Sequence, residues 1–322
     1  MNPGNYRQEL TEKIIRQLEA GTAPWQKPWN PDLALPGVPH NMVTGRPYHG
    51  GNHLWLSCQG EVDDRWCTYR QAQEKGWQVR KGEKSTTVEY WQWTENKKDE
   101  NGKAVEVKLE TPRVFYSSVF NASQMDNVPE YRPQALPWKP EEAAEQILRA
   151  SGADIRYDKT NTAFYSPIHD TIHMPPQIMF QDSAGFYGTA LHELGHWSGH
   201  ASRLGRDLAH KFGSPEYARE ELRAELASYF LASRLGIPHD PGQHSAYVGS
   251  WIDCLRHDKH AIFREAKEAE RITEFVLAFQ KEKVLEQGAE VPLAPVKFAQ
   301  PSPSSEKPVQ SVKPTKSMEL EC

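Results

Sequence analysis

The sequence predicts an α+β protein of two domains, an N-terminal α+β domain and a C-terminal, mainly helical domain built around a metal-binding motif. Three observations carry this. The chain has 322 residues, longer than a single core grows efficiently. Its pattern breaks at Pro129, Pro133, Pro137 and Pro140, a spacing that neither helix nor sheet interior tolerates. Before that break, short apolar runs are separated by Gly, Pro and Asn; after it, apolar residues recur with the helical period. The domains are drawn at 1–125 and 141–286, with a proline-rich linker at 126–140 and a tail at 287–322.

The first element is an amphipathic helix over residues 6–19. Tyr6, Leu10, Ile14 and Leu18 stand four apart, and Ala20-Gly21 marks its end. Val88 to Trp93 and Val114 to Phe120 read as strands, with a charged hairpin-like excursion from Glu95 to Gly102 between them. Beyond the linker, a helix is expected from Glu141 to Ala150, then strands near Ile155–Tyr157, Ala163–Tyr165 and Thr171–Met174. Two long helices follow. The first carries Ala190 to His200, and the second starts at Ser214-Pro215 and stops at Leu235, before Gly236 and Pro238, which are the expected cap and breaker residues. A further helical stretch spans Tyr247 to Lys283. From Glu286 onward Pro, Ser, Lys and Gln dominate, so the tail is expected to be disordered.

Composition removes several function classes. Apolar residues are 38% of the chain, with ten Trp and twelve Tyr, enough to build globular cores. A net charge of -5 provides no global field toward nucleic acid or an anionic membrane, so any such binding needs a local patch. Neither a membrane span nor a signal-peptide core is visible, and a cytoplasmic location with no membrane partner is expected. Cys58, Cys67, Cys254 and Cys322 form no C-x-x-C pair and read as reduced thiols.

The stretch Ala-Leu-His-Glu-Leu-Gly-His-Trp-Ser-Gly-His, residues 190–200, contains His-Glu-x-x-His. On a helix, His192 and His196 lie one turn apart on one face and can offer two nitrogens to one ion. Glu193 then sits beside the position that a catalytic ion keeps for water, where a carboxylate takes the water's proton and passes it to a leaving amine. The next helix offers acids for a third ligand. Glu225-Leu-Ala-Ser resembles the ligand helix of gluzincins and makes Glu225 the favoured ligand; Glu221 is the alternative or a partner behind the ligands, and Glu220 fits a solvated face. His200 continues the four-residue series, but on a helix still running it would sit two turns from His192, too far to join the set. His169 and His173 lack ligand spacing. The set suits one divalent ion, Zn2+ first and Mn2+ second.

The N-terminal half carries a different chemistry. Between Arg65 and Lys84, six Lys or Arg face two Glu, interleaved with Trp66, Tyr69 and Trp77. Cations that follow phosphates and flat rings that stack on unpaired bases suit single-stranded nucleic acid. Arg65, Trp66, Arg70, Lys75, Trp77, Arg80, Lys81 and Lys84 are the expected strand contacts, and Trp25, Trp29, Trp91, Trp93, Phe115 and Tyr116 enrich the same half.

Several of these segments together resemble the ArdC-type antirestriction proteins of conjugative plasmids. The resemblance rests on Leu18 to Trp29, Asn41 to Tyr48, Val79 to Lys84, Val119 to Asn121, Phe164 to Pro176, His192 to His200 with Arg203, and Ala218 to Glu225, in the same order. It implies an N-terminal domain that binds single-stranded DNA and a C-terminal zincin-like domain similar to SprT-type metallopeptidases. It further implies protection of incoming plasmid DNA from restriction enzymes. Two alternatives accompany it: a DNA-dependent metalloprotease that cleaves restriction enzymes or other DNA-bound proteins, and a DNA-binding protein whose metal site is only structural.

Overall fold

The structure is a computed structural model that describes residues 6–21, 37–61, 63–98, 104–130, 140–158, 162–239 and 247–286. Trp25, Trp29, most of the expected linker and the tail at 287–322 lie outside the described residues. Met1–Lys283 forms one compact unit and Val284–Cys322 a second; of the latter the structure describes only the end of the last helix.

The chain is α+β, as expected. Helix α1 (Tyr6–Glu19) is followed by β1 (His40–Asn41), α2 (Gly50–Ser57), β2 (Arg65–Thr68), α3 (Tyr69–Glu74) and β3 (Gln78–Val79). Two long strands, β4 (Thr86–Lys98) and β5 (Ala104–Asn121), pair as an antiparallel ribbon, and β6 (Met125–Asp126) closes this half. The expected excursion after Glu95 is largely a continuation of that ribbon, since Glu95 pairs with Val107 and Lys98 with Ala104. A four-stranded sheet has the order β1-β2-β5-β4, and β3 pairs with β6. Local capping explains how the short pieces hold. Thr68 caps α3 with a reciprocal Thr68–Gln71 box, and Asn121 caps the next turn in the same way with Gln124.

The second half begins with α4 (Pro140–Ala150), then β7 (Asp154–Tyr157), β8 (Phe164–Ser166) and β9 (Thr171–Met174) in the sheet order β7-β9-β8, which leaves β8 on an edge. Helices α5 (Ser183–Trp197) and α6 (Pro215–Leu235) follow. Ser214 accepts from the Tyr217 amide and Gly236 adopts φ 75°, so both ends of α6 form where the capping residues place them. The single helical stretch expected over 247–283 is two helices, α7 (Val248–His257) and α8 (Ala261–Glu286). The chain turns at Asp258, whose carboxylate accepts from the His260 amide and from Arg264. Among the described residues no helix is long and apolar enough to cross a membrane. Cys58, Cys67 and Cys254 are buried free thiols; Cys322 lies outside the described residues.

One core joins the halves. Tyr6, Leu10, Ile14 and Leu18 are at most 2% exposed and pack with Leu54 and Trp55 of α2 into the cluster formed by α4 to α8. Burial of each such side chain contributes about 2 kcal/mol. Polar ties reinforce the junction: the Thr11 hydroxyl donates to the Lys259 carbonyl at 2.8 Å, and Arg7 forks onto Glu89 of β4 at 2.7–3.1 Å while stacking over Phe263 of α8. Glu270 of α8 accepts from the Gly50 amide at 3.1 Å and pairs with His49 and Arg234.

Burial by itself would raise the Glu270 pKa, but His49, Arg234 and the Gly50 amide outweigh it and hold the carboxyl near 2. A depressed carboxylate contributes stability above its unfolded pKa and loses it as pH falls toward the folded value. Glu270→Gln is therefore expected to cost roughly 3 kcal/mol at pH 7, taking ~1.4 kcal/mol per unit. In denaturant titrations the gap from the parent should narrow between about pH 4.5 and 2.

Candidate metal centre and nucleic-acid face

Helix α5 is apolar on nearly every side, and His192 and Glu193 are buried with it at 2% and 6% exposure. It runs against α6 at very short range because Gly195 lies over Ala224, where even an added Cβ would stand only 3.5 Å from the Ala224 Cα. That approach lets short acidic side chains of α6 reach the imidazoles. His192 Nε2 and His196 Nε2 are 3.1 Å apart, and the two Glu221 oxygens stand 3.6 Å from one nitrogen each. Among the described residues, His192, His196 and Glu221 are the group whose ligand atoms all lie within 4.8 Å of one another.

The geometry sets the two expected candidates for a third ligand, Glu225 and Glu221, on different sides of the imidazoles. Glu225 is fully buried, and its carboxylate stands 3.6 Å from His192 Nδ1, behind the ring. It faces the nitrogen that a ligand imidazole uses to fix its orientation, whereas Glu221, one turn earlier, faces both Nε2 atoms. Glu220, expected on a solvated face, is the matching partner for the other ring: it is 5% exposed, 3.3 Å from His196 Nδ1, and held by Arg206 at 2.8 Å and Arg223 at 2.7 Å. Arg223 also binds Glu265 of α8 at 2.6 Å. Each imidazole thus has a carboxylate at its back and shares Glu221 at its front.

Burial opposes charge on both imidazoles, but the acids outweigh it. Glu221 and Glu225 lift His192 to about 9, and Glu221 with Glu220 lifts His196 to about 10. Burial likewise opposes the Glu221 carboxylate, and the two imidazoles pull its pKa far below the usual range. The pocket therefore holds more negative charge than its arginines cancel and calls for cations, either protons on the imidazoles or a metal ion. Two imidazole nitrogens and a carboxylate oxygen are a donor set that such an ion accepts.

Around this cluster lies a cleft of about 390 Å³, bounded by Ala163 to Tyr165 at edge strand β8, by Glu193 and by Tyr217 and Tyr247. The hairpin turn behind β8 is clamped to the end of α5 by Arg203, which binds the Trp197 carbonyl at 2.7 Å, pairs with Asp170 and lies 3.8 Å over the Trp197 ring. Helix α5 ends at Trp197, three residues earlier than the running helix assumed for His200, whose ring instead meets Ser202 at 2.8 Å in the loop. His169 contacts Ser166, and His173 binds Asp158 and stacks on Phe164; neither enters the cluster.

The expected strand-binding set divides. Trp66 is 2% exposed and packs with Leu56, Val88 and Val119, so it offers no face to a base. Arg65 is held by Asp63 at 2.7 Å and by the Pro129 carbonyl at 3.0 Å, which makes it a structural tie. Trp77 is partly buried against a small core. Arg70, Lys75, Arg80, Lys81 and Lys84 are exposed, although Arg70 pairs with Glu74 and Arg80 with Glu83. Of the exposed rings on the ribbon, the sequence named Trp91, Trp93, Phe115 and Tyr116 but not Tyr90. Tyr90 and Phe115 are cross-strand partners, 65% and 47% exposed, on the face opposite Trp91 and Tyr116. Strand alternation across a paired register was the signal available for it.

The chain matches two family models: the N-terminal domain of anti-restriction factor ArdC over residues 4–120 and a zincin-like metallopeptidase over 142–268. The crystal structure of the antirestriction ArdC protein from R388 plasmid, in its metal-free form, is 38% identical and superposes with a TM-score of 0.68, covering 86% of this chain and 98% of that one. The chain belongs to the ArdC antirestriction family. A Mn(II)-bound structure of the same R388 protein superposes with a TM-score of 0.67 at 37% identity, covering 85% and 97%. An uncharacterized protein of Sinorhizobium fredii, y4eC, is 34% identical over 87% of this chain and 94% of its own length. Two DNA primases TraC of Escherichia coli are 49% and 50% identical, over 91% and 87% of this chain, yet the chain spans 29% and 20% of their lengths.

Gly199 gives the architecture a direct test. An added Cβ there would stand 2.8 Å from the Arg206 guanidinium and 2.9 Å from Leu208, displacing the arginine that holds Glu220. Gly199→Ala is expected to lower stability by about 1–3 kcal/mol in urea titrations. Gly188→Ala, in α5 with nothing within 4 Å of the new methyl, should instead be neutral or stabilise by up to about 1 kcal/mol.

Proposed function

We propose that this chain binds single-stranded DNA through its N-terminal half and protects incoming plasmid DNA from restriction enzymes, and that its C-terminal half holds one divalent metal ion in a peptidase-type site. The observation that carries the reading is the likeness to the R388 antirestriction protein over 86% of this chain and 98% of that one, together with a set of two imidazoles, a carboxylate and an adjacent Glu193. His192, His196 and Glu221 are the proposed ligands, with Glu225 and Glu220 orienting the rings. Zn2+ suits this set best and Mn2+ is the second choice, the ion in the R388 protein's second structure. Such an ion lowers the pKa of a bound water. Glu193 lines the same cleft and would take that water's proton and return it to a leaving amine.

On the DNA side, Lys75, Lys81 and Lys84, with Arg70 and Arg80, supply the cations. Tyr90 and Phe115 supply exposed rings for stacking. Lys81→Ala with Lys84→Ala should weaken oligonucleotide binding and reduce the slope of log affinity against log salt by about 0.7 per lysine removed. Tyr90→Ala should cost about 1–3 kcal/mol of affinity. An unchanged salt slope and an unchanged Tyr90→Ala affinity would remove this face from the reading.

A second reading makes the chain a metalloprotease that cuts restriction enzymes or other proteins on DNA, favoured by the open cleft beside Glu193 and the exposed edge strand β8. Glu193→Gln separates the two. It should retain metal and DNA binding, and protection of transferred DNA should persist if occlusion of the strand is the mechanism. Loss of protection at least tenfold, with both binding activities intact, would make peptide cleavage the protective step.

A further inference from the structure

Arg203 lies in the loop after α5, outside the metal cluster, yet it joins the two walls of the cleft. Its Nε donates at 2.7 Å to the carbonyl of Trp197, the last residue of α5 and one position past His196. Its Nη1 donates to Asp170 at 3.0 Å, and its Nη2 donates to the other Asp170 oxygen and, at 3.3 Å, to the Tyr165 hydroxyl. That hydroxyl in turn donates to Asp170 at 2.7 Å. The guanidinium carbon stands 3.8 Å from the centre of the Trp197 ring, and the side chain is 12% exposed. A planar cation with five donors can hold a carbonyl, a carboxylate and a hydroxyl at once, and a cation at a helix C-terminus also meets the negative end of the helix dipole.

Strand β8 needs such a tie. It has three residues, pairs with β9 alone, and runs into a turn where Ile168 is 90% exposed and Asp170 takes φ 50°. A strand this short frays unless its end is held, and a residue other than glycine keeps a left-handed backbone only where its surroundings fix it. The Arg203 hydrogen bond outweighs partial burial and holds the Asp170 carboxyl below its usual range, so the clamp stays charged. Tyr165 and Pro167 form one side of the cleft, and His192, Glu193 and His196 form the other. A peptide that pairs with an open strand edge advances by about 3.3 Å per residue, so the position of β8 along α5 decides which carbonyl faces the imidazoles.

Resting on the peptidase reading above, we propose that Arg203 is the positioning residue that locks β8 to the end of α5 and so sets where an extended peptide lies relative to His192, Glu193 and His196. Arg203 touches no reacting atom; it acts through Asp170 and Tyr165 on the strand side and through Trp197 on the helix side. The clamp orders the edge before a peptide arrives, so that binding does not have to order it.

The test uses the full chain loaded with Zn2+ and two probes: a phosphinic peptide long enough to run the length of β8, and acetohydroxamate, which chelates the ion and has no peptide backbone to pair. In calorimetric titration Arg203→Met and Asp170→Asn should each bind the phosphinic peptide about 10-fold more weakly than the parent and acetohydroxamate equally well. Asparagine tolerates the left-handed backbone of this turn, so Asp170→Asn removes the charge and keeps the turn. The double variant should bind no more weakly than either alone, because both changes break one clamp. Arg156→Met, which removes an ion pair with Asp154 on β7, the far strand of the same sheet, should leave both affinities unchanged. An equal loss of both probes in Arg203→Met would make it a support of α5 alone and overturn the positioning role, as would an unchanged phosphinic affinity in either single variant; both results leave the peptidase reading standing. A Zn2+-treated parent that does not bind the phosphinic peptide would overturn the peptidase reading and the role of Arg203 with it.

Discussion

The contact of Gly195 with Ala224 is the constraint on which the rest of the centre depends. Two helices that met through larger side chains would stand farther apart, and glutamates of ordinary length would not reach the imidazoles of the partner. At this separation Glu220, Glu221 and Glu225 all reach them. The result is a dense group of buried carboxylates and imidazoles, which is unfavourable unless every charge has a partner. Arg206 and Arg223 neutralise the rear of the group, and the front is left for cations at His192 and His196.

This arrangement also ties the centre to elements far from it in sequence. His196 leans on Glu220, Glu220 on Arg223, and Arg223 on Glu265 of α8. The same helix carries Phe263, which supports Arg7 of α1 and therefore Glu89 of the ribbon, and Glu270, which holds His49 and the start of α2. Helix α8 is thus the shared wall of both halves. Its packing against α1 and α2 sets the β4–β5 ribbon as part of the same compact unit as the metal cluster.

The ribbon explains why basic and aromatic composition is a coarse guide to a binding face. Its two sides are chemically alike in sequence, yet one turns Trp91 and Tyr116 toward Arg7 and Tyr6, leaving them 37% and 40% exposed, while on the other Tyr90 and Phe115 are 65% and 47% exposed. Within the run from Arg65 to Lys84, the tightly paired β2 takes Trp66 into the core and fixes Arg65, and the turns after it leave Lys75, Lys81 and Lys84 outside. A strand that alternates inward and outward residues cannot use all of its cations and rings on one partner.

The sequence by itself determined the longer helices α1, α4, α5 and α6, the caps of α6 and the pairing of two imidazoles on α5, because these depend on residues three or four apart. Tyr6 to Leu18, Ser214-Pro215, Gly236 and His192 with His196 act through local backbone geometry and were legible for that reason. The family was legible from motifs in their order. The break at Asp258 between α7 and α8 was not, since it depends on one carboxylate capping a turn. Nor was the placement of Glu220, Glu221 and Glu225: Glu220 lies about 100° from Glu221 around the helix and Glu225 one turn beyond Glu221 on nearly the same face, so they are ranked only by the rotation and axial shift at which α6 meets α5. Tertiary structure decided that rotation through Gly195 and Ala224. It decided likewise which rings are buried and which are open, because burial is a property of the partner surface and not of the residue that meets it.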